Sequence, residues 1–251
     1  MTIVELYAGL SAVTLHLFGA RPPVSWIGAK TGYAAGIAGA MDLRALQPGD
    51  RVVLVESDER VAEVLRALFD PRARSAAATY VERHASWGPR EAWRAAKGDG
   101  TPGAWLLWTA GARGGIGGFK GEHARRPSVD GFIPSRESLV RRLREFPSPP
   151  CPVEVVHARA QDVDPVPGAK VYLDPPYSGR QGYQKAGQRE VEVDPRVIAA
   201  RWASAGCLVA LSESHPLPLA GARYVDLTRA RRGQRRRSLT RDTGEWLTIL
   251  G

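Results

Sequence analysis

Asp174-Pro175-Pro176-Tyr177 follows directly on the apolar run Val171-Tyr172-Leu173, and these residue types in this order can act on a planar amine. Two successive prolines fix the backbone, so the Asp174 carboxylate and the Pro175 carbonyl can be held as two acceptors pointing the same way. An exocyclic amino group, with two hydrogens to give, suits such a pair. Tyr177 adds an aromatic face on which a flat base can stack. Asp-Pro and Pro-Pro are also ordinary turn signals, so the tetrapeptide takes its weight from its place after a strand. In open α/β sheets ligands bind beyond the carboxyl ends of the strands.

A second constellation lies at the start of the chain. The stretch Glu5-Leu6-Tyr7-Ala8-Gly9-Leu10-Ser11-Ala12-Val13 reads as a strand, a glycine-bearing turn and a helix start. That arrangement sets backbone amides and a tight turn against a nucleotide-like ligand. About fifty residues later Val52-Val53-Leu54-Val55-Glu56 ends a second strand in a carboxylate, the position from which an acid commonly hydrogen-bonds ribose hydroxyls. The order of the two points to a nucleoside cofactor. A phosphate-binding loop is excluded, because Gly28-Ala29-Lys30-Thr31 lacks the adjacent Gly-Lys and the upstream glycine.

The elements that must position these residues follow from periodicity. Ile3–Tyr7, Val52–Glu56, Ala104–Thr109 and Val171–Leu173 are short apolar runs ended by Gly, Ser or Asp, as buried parallel strands are. Ser11–Phe18, Glu59–Phe69 and Ser135–Phe146 are helix-like, the second with Val61, Val64, Leu65 and Leu68 on one face. Asp194–Ala205 adds a helix, and Cys207–Leu211, Arg223–Leu227 and Trp246–Leu250 add strands. Alternation of this kind predicts an α/β, Rossmann-like doubly wound mixed sheet of about six or seven strands. Two stretches break it. Gly111 to Asp130 holds six glycines by residue 121 and several basic residues, as suits a loop shaped by a ligand. Arg229 to Arg241 holds seven arginines in thirteen residues and no acid, as suits contact with phosphates.

Composition bounds the rest. At 251 residues, 43% hydrophobic and 24% charged, the chain suffices for one sizeable core, and residues 1–251 read as a single domain with an insertion at about 111–150. A net charge of +9 makes a polyanion the leading partner. No apolar stretch approaches a membrane span, and Glu5 stands where a signal peptide would have its apolar run, so the expected location is cytoplasmic, away from the membrane. Cys151 and Cys207 lie far apart, and the five histidines share no ligand spacing, so no disulfide framework or metal site is expected.

These motifs together resemble the Dam-type, alpha-group DNA adenine methyltransferases, which use S-adenosylmethionine and carry an Asp-Pro-Pro-Tyr catalytic motif. The resemblance implies a class I methyltransferase fold with Asp174, Pro175, Pro176 and Tyr177 as the catalytic set. Glu5, Tyr7, Ala8, Gly9, Ser11 and Val13 match the family's first cofactor motif, although Ser11 replaces a glycine of the usual pattern. Glu56 falls at the ribose-binding acid. Asp162 and Val163 match the stretch that contacts the cofactor adenine, and Asp174 also borders the cofactor. Trp26-Ile27-Gly28-Ala29-Lys30 resembles the Trp-x-Gly-Gly-Lys motif that contacts the methionine end, so Trp26 and Lys30 join the cofactor set. That segment normally precedes the first motif, and here it follows it. Gly117-Gly118-Phe119-Lys120 and the following 132–143 resemble the segment that helps recognise DNA. Lys120, Arg125, Arg126, Arg231, Arg232, Arg235, Arg236 and Arg237 are the expected DNA contacts.

The implied activity is transfer of a methyl group to the N6 amino group of adenine in duplex DNA, after the base is flipped from the stack. Three alternatives stay open at this stage: the exocyclic amine of cytosine, an RNA guanine, and an inactive DNA-binding partner subunit. A carbon-methylating cytosine enzyme would need a thiol nucleophile after a proline, and Cys151, although it follows Pro150, lies far before the catalytic strand. A pure binder has no need of the tetrapeptide.

Overall fold

Seven short strands form the centre of the protein, and why they lie side by side is visible in their composition. The computed structural model describes residues 1–25, 30–112, 118–119, 132–176, 193–229 and 244–251. Strands β1 (Thr2–Leu6), β2 (Arg51–Glu56), β3 (Val153–His157), β4 (Lys170–Leu173), β5 (Leu208–Glu213), β6 (Arg223–Asp226) and β7 (Trp246–Leu250) form one sheet in the order β3-β2-β1-β4-β5-β7-β6. The first five run parallel, whereas β7 is antiparallel to both β5 and β6. This is the doubly wound mixed sheet expected from the sequence. Central strands covered on both faces need near-continuous apolar runs, which β1, β2, β4 and β5 have.

Successive side chains of a strand point to opposite faces, so each strand feeds two cores. Val4, Leu6, Val171, Leu173, Val209 and Leu211 pack against helix α8 (Pro195–Ser204), whose Trp202 is fully buried. On the other face Ile3, Val52 and Leu54 pack with Leu17 of α1 (Ala12–Leu17), Ala38 of α2 (Ala34–Ala40) and Leu65 of α3 (Glu59–Phe69). Helix α3 has the expected bounds. Asp58 caps it by accepting from the amides of Arg60 and Val61, an interaction worth about 1 kcal/mol.

Beyond α3 lies a helical layer of α4 (Pro71–Arg83), α5 (Pro89–Gly98), α6 (Pro102–Gly111) and α7 (Arg136–Arg144). Within 111–150, α7 carries Leu139 and Leu143 into the core of this layer. Here one expectation fails. Ala104–Thr109 is part of helix α6, not a strand. The helix is surrounded by α3, α4 and α5, so it is apolar all round and loses the 3.6-residue periodicity that would have marked it. Thr101 accepting from the Ala104 amide, with Pro102 at the first helical position, is the start signal that was present. Gly103 is required where α6 crosses α4, since a Cβ there would lie 2.7 Å from the Tyr80 side chain. The strand that fills the edge instead is β3, half-exposed and interrupted by Glu154.

Cys151 and Cys207 are both free and buried. Among the described residues no helix is long and apolar enough to cross a membrane.

Candidate active site

Order reverses between β1 and β4: from β1 the chain winds outward through β2 to β3 on one side, and β4 and β5 lie on the other. A crevice opens at such a switch point beyond the carboxyl ends of the strands. Of the side chains expected to do chemistry, those of Glu5, Glu56 and Asp174 lie at the end of strands of this region or directly after them, and Lys30 reaches Asp174 from the turn before the second helix.

Glu5, in β1, turns into the α1 face, where its Oε1 accepts from the Thr14 amide at 2.6 Å. It is 2% exposed. Burial pushes its carboxyl up to about 7, helped by the neighbouring Asp174 charge. The chain then turns through Tyr7, Gly9 and Ser11 at φ 60°, 52° and 42°. Left-handed backbone is free for glycine and costs other residues of order 1–3 kcal/mol, so strain is stored at Tyr7 and Ser11. The glycine that Ser11 replaces in the related pattern is thus one the backbone would favour. A Cβ on Gly9 would meet nothing within 4 Å among the described residues, which leaves room above the turn as far as these go.

Glu56 ends β2 and holds this turn. Its Oε2 accepts from the Gly9 amide at 2.8 Å and its Oε1 from the Asp58 amide at 2.9 Å. Burial raises its pKa, opposed by these backbone amides. A carboxylate offers about four lone pairs, so two remain for hydroxyl donors. Ala8 is buried in the turn, with its amide on the Val55 carbonyl at 2.9 Å. The buried hydroxyls of Tyr7 and Ser11 have no hydrogen-bond partner among the described residues.

Asp162 lies in a 3₁₀ turn (Ala160–Asp162) after β3, at the same edge. Its carboxylate is exposed and paired with Arg159 at 2.7 Å. Val163 is half-buried, and its carbonyl accepts from Arg201.

Asp174 continues the ladder of β4, its amide donating to the Leu6 carbonyl at 3.3 Å. Its Oδ1 lies 3.2 Å from the Lys30 ammonium. Burial lifts its pKa to about 7; Lys30 pulls it down, and the Glu245 and Glu213 charges push it up. Beneath it, the Tyr172 hydroxyl is held well above its ordinary range by burial and by the Asp174 and Glu245 charges. Pro175 is buried and Pro176 half-buried.

Sequence reasoning missed the remainder of this cluster. Lys30 also lies 3.1 Å from Oε1 of Glu245, which in turn accepts from the Ser212 hydroxyl at 2.5 Å. Glu213, at the end of β5, accepts from the amide of Ser214 at 2.6 Å. An acid at the end of a strand was the available signal for Glu213. For Glu245 it was an acid placed directly before an apolar strand, after the arginine run.

Several expected residues lie outside the described part of the chain: Trp26, Lys120, Arg125, Arg126, Tyr177, Arg231, Arg232, Arg235, Arg236 and Arg237. Of the arginine-rich stretch only Arg229 is described, together with the flanks that precede it and that resume at Gly244. Because β7 is antiparallel to β5 and β6, β6 finishes and β7 begins at the carboxyl edge, beside the crevice. The neck is closed by the Leu227 amide on the Glu245 carbonyl at 2.8 Å and the Glu245 amide on the Thr228 hydroxyl at 3.0 Å.

No family model matches the chain, and no curated protein matches it. Among solved structures it is similar to the rRNA methyltransferase AviRa from Streptomyces viridochromogenes, with 15% identity and a TM-score of 0.36, over 99% of this chain and 75% of that one.

Proposed function

We propose that the chain is an S-adenosylmethionine-dependent methyltransferase acting on the N6 amino group of adenine in DNA. The observation that carries this reading is the meeting, at one switch point, of the Asp174-Pro175-Pro176 stretch with the strained turn held by Glu56. The donor set fits the cofactor. Glu56 has lone pairs left for ribose hydroxyls, Gly9 leaves room above the turn, and the hydroxyls of Tyr7 and Ser11 are buried without partners among the described residues. Glu5 anchors the turn to α1 through the Thr14 amide, and Asp162 with Val163 borders the adenine side.

Bound here, S-adenosylmethionine would supply a sulfonium methyl group, the nitrogen–carbon bond forming as the carbon–sulfur bond breaks, and the Asp174 carboxylate that holds an amino hydrogen would take up the proton the nitrogen releases. The chain's own residues position the amine. Lys30 engages Oδ1 of Asp174, and the other carboxylate oxygen can accept one amino hydrogen while the Pro175 carbonyl accepts the second. Held this way, the nitrogen lone pair would be left free for a bound cofactor's methyl group, and catalysis would be positioning and electrostatics without a covalent enzyme intermediate. Tyr177, which lies outside the described residues, is the aromatic side chain proposed for stacking on the flipped base.

Isotopically labelled S-adenosylmethionine, duplex DNA and purified protein test the reading, with the DNA digested to nucleosides and separated by mass. Label in N6-methyladenine is expected. Label only in methylcytosine, or only in guanine of a parallel RNA sample, overturns the adenine assignment, and no label in any nucleic acid overturns the activity.

Two further results are expected. Glu56→Ala should weaken binding of S-adenosylhomocysteine by about 1–3 kcal/mol in calorimetry, since a charge-assisted hydrogen bond is lost; unchanged affinity would remove Glu56 from the cofactor site. For the polyanion partner, replacing Arg231, Arg235 and Arg237 by Ser should flatten the slope of log affinity for duplex DNA against log salt by roughly 0.9 per lost phosphate contact. An unchanged slope would take the arginine run off the DNA.

A further inference from the structure

One buried ammonium stands between two carboxylates. Lys30 Nζ is 3.2 Å from Asp174 Oδ1, 3.1 Å from Glu245 Oε1 and 3.2 Å from Glu245 Oε2. Lys30 and Glu245 are both almost fully buried, and the buried Ser212 hydroxyl fixes the outer carboxylate. Four separate parts of the chain meet here: the end of β4, the end of β5, the foot of β7 and the residue entering the turn before α2.

We propose that Glu245 is a positioning residue for Asp174: from the foot of β7 it holds the Lys30 ammonium in place and shares its single positive charge, so that Lys30 orients the Asp174 carboxylate without neutralising it. The catalytic consequence rests on the methyltransferase reading, whereas the sharing of charge concerns the chain alone.

The physics runs through the lysine. An ammonium on a four-carbon stem is a mobile point charge with three donors, and a second fixed acceptor is what pins it. Given only Asp174, the ammonium would pair with it fully, favour its charged form and compete with the amine for its lone pairs. With Glu245 on the far side, that pull is divided. The other groups facing Asp174 act in the same direction: Glu213 from β5 and Glu5 from β1 are acids, and the Tyr172 hydroxyl of β4 stays neutral. Burial, with the Glu245 and Glu213 charges, thus holds the Asp174 carboxyl up at about 7 against the pull of Lys30.

Glu245→Gln separates charge from geometry, since the amide oxygen can still accept from Lys30 and Ser212. Carbon-13 NMR of protein labelled at aspartate carboxyls, with Asp174→Asn to assign the signal, reads the titration directly. The Asp174 midpoint is expected to fall by about one pH unit in Glu245→Gln, within the range one nearby charge produces. Glu245→Asp, which keeps the charge, should return it most of the way. In methyl-transfer assays the acid limb of kcat should move down with the midpoint while KM for DNA holds. Should Glu245→Gln fail to fold, Ser212→Ala, which frees the Glu245 carboxylate, should shift the midpoint in the same direction by less. An Asp174 midpoint unmoved in a folded variant overturns the inference. Absence of methyl transfer in the wild type would instead overturn the activity, and the NMR titration would still decide whether the charge is shared.

Discussion

Asp174→Ala is expected to lower kcat for methyl transfer by at least about 10²–10³, the scale on which removal of one preorganised polar group at a reacting centre is felt. Affinity for S-adenosylhomocysteine should stay within a few-fold. The division follows from the architecture: the cofactor turn is held by Glu56 on Gly9 and by Glu5 on Thr14, and neither bond involves Asp174. Lys30 is not stranded by the change, because Glu245 still accepts from it at 3.2 Å. The variant should therefore fold, and the loss should appear in single-turnover rates with cofactor saturating. Full activity in a folded Asp174→Ala protein would refute the assignment of the carboxylate.

Lys30→Met is expected to destabilise the protein by about 3–5 kcal/mol at pH 8, the loss seen when one partner of a buried ion pair is removed. The loss should shrink at pH 5. Burial already lifts the Asp174 and Glu5 carboxyls to about 7 in the folded state, above the ordinary 3.8 and 4.5. Between those values the folded protein holds protons that the unfolded chain has released, so stability falls as pH rises through this window. Without the Lys30 cation the Asp174 value climbs further and the fall steepens. At pH 5 the Asp174 carboxyl is protonated, so the part of the loss that comes from Asp174 disappears and only the lost pairing with Glu245 remains. Urea midpoints at the two pH values measure this, and an equal loss at both would show that the Asp174 charge has no part in what Lys30 contributes. Lys30→Arg, which keeps the charge, should recover part of the loss at pH 8.

The strands bearing chemistry were legible because burial on both faces forces an apolar run, and the run stops at a polar residue where the crevice begins. Glu56 and Asp174 announce themselves in this way. Helix α3 was equally plain, with its capping Asp58 and one apolar stripe. Helix α2 was not, since Ala34-Ala35-Gly36-Ile37-Ala38-Gly39-Ala40 has small residues on every side and no stripe to count. Helix α6 misled for the opposite reason, being apolar on every side. At the site, what could be read were positions local to a strand end. The contact between Lys30 and Glu245 joins residues 215 apart in the chain and is a product of strand order, with β7 turned back against β5. Nothing in either residue's neighbourhood states the pairing.

The closed neck between β6 and β7 has a consequence for how such a protein can change. The Leu227 and Glu245 backbones pair across the neck, so the excursion between them enters and leaves the sheet at one point. Loop-closure entropy grows slowly, by about 0.6 kcal/mol for each doubling of length. Insertions, deletions or a wholesale exchange of the segment beyond Thr228 therefore leave the sheet register untouched. If the arginine run makes the proposed phosphate contacts, those contacts could be exchanged there, by recombination as much as by point substitution, while Glu245 at the neck keeps its bond to Lys30.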